Sequence, residues 1–200
     1  DQASFPAELP AYLAVLAPLL PRRALAIEVG TCDGRLLEVL APVFERVVAV
    51  DREETQLARA RERMRLRGHH NVELLQLDFT DSVALAQIPG FGQADAVFAS
   101  RVLHHAPRPV ETLRTLAGLV RPGGHVLVLD YADHDDDSMR DQQADLWLGF
   151  SEGELLRHAA QAGLSDGSVT RLPKTFHPGG PDAHLSWHTL TARRPEPPCS

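Results

Sequence analysis

Apolar, β-branched runs alternate with runs of helical spacing along most of this chain. Ala24-Leu25-Ala26-Ile27-Glu28-Val29 is a short apolar run stopped by Gly30, and Arg35-Leu36-Leu37-Glu38-Val39-Leu40 behind it has helical spacing and ends near Pro42. Arg46 to Asp51 reads as a second strand and Glu53 to Arg67 as a helix closed by Gly68, with Arg61, Arg63, Arg65 and Arg67 matching its C-terminal dipole. Asn71 to Leu77 predicts a third strand. Ala94 to Ala99, with Asp95 at its start, predicts a fourth after a Pro89-Gly90 break. Pro109 opens a helix whose face is Val110, Leu113, Leu116 and Val120, and Arg121-Pro122-Gly123-Gly124 predicts a turn into a strand from His125 to Asp130. Ser151-Glu152-Gly153-Glu154 is a capping-box start for a helix running to Gly163, and two late strands near Ser168–Arg171 and His184–Ala192 complete the sheet. The alternation predicts the α/β class, a parallel sheet wrapped by helices.

Ahead of this unit, residues 1–23 read as an N-terminal helical segment, in which Leu9, Leu13, Leu16 and Leu20 keep helical spacing between Pro6 and Leu20. Packing over the sheet is its simplest use, with a homodimer contact or a lid as the others. Residues 24–192 form the α/β domain, and residues 193–200, with Arg194-Pro195-Glu196-Pro197-Pro198, read as a flexible tail. No internal repeat is present.

Composition narrows the class. The chain has 200 residues, 44% apolar and 24% charged, with 14 Gly and 15 Pro, which excludes collagen-like, disordered and mucin-like chains. About 70% of the surface of a chain this long is buried on folding, enough for a core without staples. The longest uncharged apolar stretch, Leu9 to Pro21, is short and carries Pro10, Pro18 and Pro21, so no membrane helix is expected. Cys32 and Cys199 offer neither a disulfide framework nor a metal spacing, which predicts a reducing, cytoplasmic setting. With 20 basic against 27 acidic residues the net charge is −7, opposite to a nucleic-acid binder, so no nucleic-acid partner is expected for this chain alone. The opening Asp1-Gln2, without Met or a secretory pattern, reads as a processed end or the edge of a longer chain.

The candidate chemistry begins in the loop Glu28-Val29-Gly30-Thr31-Cys32-Asp33-Gly34, which joins a strand to a helix and offers close backbone approach and unpaired N–H groups to a nucleotide-like ligand. A dinucleotide fingerprint counted from Gly30 places Cys32 and Arg35 where glycines belong, so the spacing disfavours NAD or FAD. With the acidic strand ends Asp51 and Asp78 in the same order, the chain resembles the class I S-adenosylmethionine-dependent methyltransferases, whose first motif is D/E-x-G-x-G-x-G; here the middle glycine is Cys32.

That resemblance implies a Rossmann-like three-layer sandwich with a seven-stranded, mostly parallel sheet and an antiparallel last strand. It implies S-adenosylmethionine as cofactor and S-adenosylhomocysteine as product. It also implies roles: Glu28 orients the methionine amino group through water, Gly30, Thr31, Cys32 and Gly34 form the loop under the ligand, and Asp51 binds the ribose hydroxyls. Arg52 covers the adenine, Asp78 accepts from its exocyclic amine, the Phe79 N–H donates to the ring, and Ser100 lines the methionine end. Plainer readings make Glu28 and Asp51 strand-end caps, Asp78 and Phe79 turn and core, and Cys32 a small buried filler.

Ser100-Arg101-Val102-Leu103-His104-His105, Leu119-Val120-Arg121-Pro122-Gly123-Gly124 and Ala144-Asp145-Leu146-Trp147-Leu148-Gly149-Phe150 are similar to the methyltransferase module that follows an ArsR-type winged helix in some regulators, and to quinone-biosynthesis methyltransferases. The winged helix is not in this sequence. The implied function is methyl transfer to a small-molecule acceptor, and the alternative is a non-catalytic S-adenosylmethionine-sensing module.

His104 and His105 follow the fourth strand at the ligand edge of the sheet and are the candidate catalytic bases, with His105 the choice. The plainer reading has one of the pair packing or capping the next helix. No metal is expected: His69-His70 lie at a helix end, His184 and His188 stand roughly 13 Å apart on one strand face, and Asp133-His134-Asp135-Asp136-Asp137 reads as a solvated loop. Trp147, Leu148 and Phe150 cover either the core or the acceptor pocket.

Overall fold

Strands that face helices on both sides bury nearly every residue, and the central ones here do so. The structure, a computed structural model, describes residues 16–172 and 184–197. In β1 (Leu25–Val29), β2 (Arg46–Asp51) and β4 (Ala94–Ser100) all but the end residues are buried. Alternate side chains enter opposite layers: Ile27, Val29, Val48, Val50, Val97 and Ala99 join one core, while Ala26, Val47, Ala49, Ala96 and Phe98 join the other. The first core is closed by α4 (Pro109–Leu119) and α6 (Glu152–Gln161), the second by α1 (Leu37–Leu40) and α2 (Glu54–Arg67). The fold is the expected α/β three-layer sandwich.

With β3 (Val72–Gln76), β5 (Val120–Tyr131), β6 (Ser165–Arg171) and β7 (Trp187–Arg193), the sheet has seven strands in the order β3-β2-β1-β4-β5-β7-β6. The pairs from β3 to β5 are parallel, and β7 runs antiparallel to both neighbours. Two shorter helices, α3 (Ser82–Leu85) and α5 (Ser138–Gln143), sit in connections.

Three expectations change. The predicted turn Arg121-Pro122-Gly123-Gly124 lies inside β5, because Ala94 pairs with Val120 and Ala96 with His125, so the intervening residues form a bulge. His184 precedes β7 and binds Asp136 Oδ2 at 2.8 Å, so it does not share a strand face with His188. Of the predicted N-terminal helix only its end is described: Leu16 is helical and Ala17–Leu19 closes it as a short 3₁₀ turn. Leu16 and Leu20 do pack against the second core; Leu9, Leu13 and Cys199 lie outside the described residues. Finally, β7 runs through Arg193, and Arg194 exchanges backbone bonds with Gly123 and Gly124 at 2.8 and 2.9 Å, so residue 193 belongs to the sheet and Arg194 is tied to its β5 bulge.

The start of the sheet is knotted by Asp95, a buried carboxylate that accepts from Ala24 N at 2.8 Å, Leu25 N at 3.3 Å and Arg121 Nε at 2.7 Å. Among the described residues no helix is long and apolar enough to cross a membrane. At the head of α6 the expected capping box is formed: Ser151 Oγ accepts from Glu154 N at 3.3 Å and Glu154 Oε2 accepts from Ser151 N at 2.9 Å. Ser151→Ala is expected to lower the unfolding free energy by about 1 kcal/mol, read as a lower urea midpoint at unchanged slope.

Candidate active site

The strand order reverses between β1 and β4, so the loops leaving their C-terminal ends diverge and leave a crevice, the place where open α/β sheets bind ligands. Gly30 N and Thr31 N both donate to Val50 O, at 2.9 and 3.1 Å, which folds the β1 loop over the end of β2. Two acids hold it there. Glu28 accepts from Thr31 Oγ1 at 2.5 Å, and Asp51 accepts from Cys32 N at 2.8 Å and Glu53 N at 2.9 Å. Burial pushes the Glu28 carboxyl up to about 8 against the opposing Thr31 hydrogen bond, and the charges of Asp51 and Asp33 push the same way. Glu28 therefore holds a proton at neutral pH.

Within the loop, Cys32 is exposed and takes φ +49, a left-handed conformation that costs a non-glycine residue roughly 1–2 kcal/mol. It is not the fully buried filler expected from its size, yet burial of the thiol and the neighbouring Asp51 and Glu28 charges push its pKa well up. At Gly34, φ +79, an added Cβ would meet Ala60 Cβ at 2.8 Å, so this glycine seats the loop against α2. Gly30, at φ +74, would bring a Cβ within 3.2 Å of Val102 in the β4 loop.

Farther along the edge, Arg52 is exposed and pairs with Glu53 at 3.4 Å. Asp78 Oδ1 accepts from Thr80 N at 2.9 Å and Thr80 Oγ1 at 2.7 Å, and these bonds hold its carboxyl below the usual range. The Phe79 ring packs on the first core, which leaves its backbone N–H as the group for any ligand role. Ser100 Oγ, at the end of β4, is buried and has no hydrogen-bond partner among the described residues.

Beyond Ser100, Leu103–His105 form a 3₁₀ turn that carries both candidate bases. His104 is fully buried, stacks on Tyr131 at 4.6 Å between ring centres, and sets Nδ1 2.6 Å from Asp130 Oδ1. Asp130 also accepts from Tyr131 N and Leu103 N, both at 2.8 Å. Burial opposes its ionisation, but His104 and these donors outweigh it and keep the carboxyl below its ordinary range. His104 Nε2 lies 3.1 Å from His105 Nε2 and 3.6 Å from Asp145 Oδ1. Of the two histidines only His105 reaches solvent; burial and the neighbouring His104 push it down to about 4, so it is neutral at pH 7. The His104 carbonyl accepts from Leu146 N at 3.0 Å and Trp147 N at 3.1 Å, which ties the Asp145 loop over the turn. Phe150 is core, Leu148 packs on the second core, and Trp147 is part-exposed with Nε1 bonded to Ala106 O at 2.8 Å.

A methyltransferase domain family matches residues 27–126, half of the chain, and this span runs from the glycine loop through both histidines into β5. The chain belongs to the methyltransferase domain family. Its cofactor class is S-adenosylmethionine, and its fold is the class I fold. A ubiquinone biosynthesis O-methyltransferase of Acinetobacter baumannii is 32% identical over 100 residues, 50% of this chain and 40% of that protein, so the match spans well under two thirds of the curated relative. In fold, a SAM-dependent methyltransferase from Aquifex aeolicus superimposes with TM-score 0.71 at 21% identity, covering 95% of this chain and 94% of that one. A phosphoethanolamine N-methyltransferase of Haemonchus contortus, solved with S-adenosyl-L-methionine, gives TM-score 0.72 at 16% identity over 93% of this chain and 52% of that one.

The methyltransferase domain's own residues fit such a cofactor. Ser100 Oγ, buried without a partner among the described residues, lies at the end of β4, and Glu28 and the Asp51 carboxylate, each already bonded within the loop, keep further acceptor capacity at the ends of β1 and β2. Sequence reasoning missed Asp130 and Asp145. Asp130 carried a usable signal, since it ends an apolar strand as Asp51 does; Asp145 lies in a loop whose position no local pattern reveals.

Glu28 gives the domain a signed pH dependence. A carboxyl whose folded pKa exceeds its unfolded one contributes stability that is complete below pH 4.5 and is lost as pH rises through 8. Urea melts of the ligand-free protein are expected to lose roughly 1–2 kcal/mol between pH 6.5 and 8, at about 1.4 kcal/mol per unit, a window above the depressed His105. Glu28→Gln flattens this slope, and equal slopes in the two proteins refute the assignment.

Proposed function

We propose that the protein transfers a methyl group from S-adenosylmethionine to a small-molecule acceptor in the cytoplasm. The observation that carries this reading is the convergence of Glu28 and Asp51 on one loop at the switch point of a methyltransferase-family sheet, beside the unpartnered Ser100 hydroxyl. When bound, S-adenosylmethionine supplies a methyl on a sulfonium, which is already a good leaving group. The chain's own work is then to bind, to align and, for a protonated acceptor, to take up a proton.

Asp51 retains acceptor capacity on both oxygens for the ribose hydroxyls, while its bonds to Cys32 N and Glu53 N keep it in place. Glu28 and Ser100 face the methionine end; Arg52, Asp78 and the Phe79 N–H serve the adenine. His105, neutral and half-exposed, offers a lone pair on the acceptor side, and its weak basicity suits an acceptor that yields its proton readily. Buried His104 acts through His105 rather than on the acceptor. Hydroxylated quinols, from the O-methyltransferase relatives, are the first acceptors to try. A net charge of −7 speaks against a nucleic-acid acceptor.

Calorimetry is expected to show S-adenosylmethionine binding that Asp51→Ala weakens by about 1.5–3 kcal/mol, the loss of a charged hydrogen bond. S-adenosylhomocysteine should accumulate only when an acceptor is present. Binding without product across an acceptor panel rejects catalysis and leaves a cofactor sensor; unchanged affinity in Asp51→Ala rejects the ribose assignment.

A further inference from the structure

We propose that His104, His105 and Asp145 form a binding site for one divalent transition-metal ion of the zinc type. One ligand atom from each of the three lies within 4.8 Å of those from the other two, the one such group among the described residues. Tetrahedral zinc, with bonds of about 2.0–2.1 Å, sets its ligand atoms roughly 3.4 Å apart. The His104–His105 separation of 3.1 Å and the His104–Asp145 separation of 3.6 Å bracket that value.

The geometry favours a cation at this point. His104 sets Nδ1 on Asp130 Oδ1, which leaves Nε2 as the ring atom turned towards His105 and Asp145. His105 donates to the Ala144 carbonyl and brings its Nε2 to the same point as His104 Nε2. Asp145 is 3% exposed, and neither of its oxygens has a hydrogen-bond partner among the described residues. Burial pushes its carboxyl up, while the charges of His104, Arg101 and Arg140 pull the other way. A buried carboxylate left so is costly unless it is paired or binds a metal.

The surroundings complete the site. Asp130, bonded to Nδ1 of His104, is the outer carboxylate that orients a ligating histidine and raises its basicity. A divalent ion would hold both the Asp130 and the Asp145 carboxyls in their charged form, against the burial that pushes Asp145 up. Nitrogen donors with a single carboxylate select zinc-like metals over magnesium or calcium. His105, with 44% of its side chain exposed, marks the open side, where a fourth position remains for water or an acceptor oxygen. An ion there would stabilise a deprotonated acceptor and so take over the base role of His105. The site does not rest on the methyl-transfer reading.

The test is calorimetric titration of chelator-treated full-length protein with Zn²⁺, together with Co²⁺ titration followed by its visible absorption. One equivalent is expected to bind in the micromolar range or tighter, with the intense visible bands of tetrahedral Co²⁺. His105→Ala and Asp145→Asn should each weaken it by at least about tenfold, and Asp130→Asn by roughly 10–100-fold, while His69→Ala with His70→Ala leaves it unchanged. Because the His105 side chain is half-exposed, its variant tests the site in a folded protein, checked by circular dichroism. Millimolar binding, or equal binding in the His105 and Asp145 variants, overturns the proposal and assigns the cluster to a proton held on His104 between Asp130 and Asp145. S-adenosylmethionine affinity, measured in the same samples, separates failure of this site from failure of the cofactor assignment.

Discussion

The crevice depends on a backbone loop held down by two carboxylates. Without the loop, Glu28 and Asp51 would stand near each other at the tips of adjacent parallel strands, in a region too buried for water to separate their charges. The loop resolves this by giving Asp51 two backbone N–H donors and Glu28 one hydroxyl, and by leaving Glu28 protonated. The same bonds fix the loop's path, which Cys32 follows at some conformational expense and Gly34 follows because α2 leaves no room for a side chain. The groups that shape the loop are also those proposed to meet a cationic, hydroxyl-bearing ligand.

A similar economy governs the other buried acids. Asp95, Asp51 and Asp130 each sit at a strand end and accept backbone N–H groups that have no partner in the sheet. Each thereby satisfies donors that would otherwise be orphaned, which offsets the cost of taking a charge out of water. Asp145 breaks this pattern. It is as buried as the others, yet it has no donor, and it faces two imidazoles across a gap wide enough for an ion. The contrast within one molecule separates an acid that serves the fold from one held ready for something else.

Much of the fold was legible from local pattern. Alternation of apolar strands with amphipathic helices identified the strands from β1 to β7 within a few residues, because burial on both faces leaves an unmistakable apolar run and the caps at Pro109 and Ser151 mark helix starts chemically. The errors arose where long-range pairing overrode local preference. Arg121-Pro122-Gly123-Gly124 has every feature of a turn but is drawn into β5 by its register with β4, and His184 falls short of β7 because its ring is held by Asp136.

What the sequence by itself determined is the order of elements and the strand ends that bear Glu28, Asp51, Asp78 and Ser100, since apolar periodicity and loop chemistry are local properties. Only the tertiary structure decided what those residues meet. It put Cys32 in a left-handed conformation, gave Gly34 a packing role, buried His104 against Asp130 and brought Asp145 to the histidine pair from some 40 positions away along the chain. Burial and partnership set protonation, and both depend on contacts between segments that carry no mark of one another in their own residues.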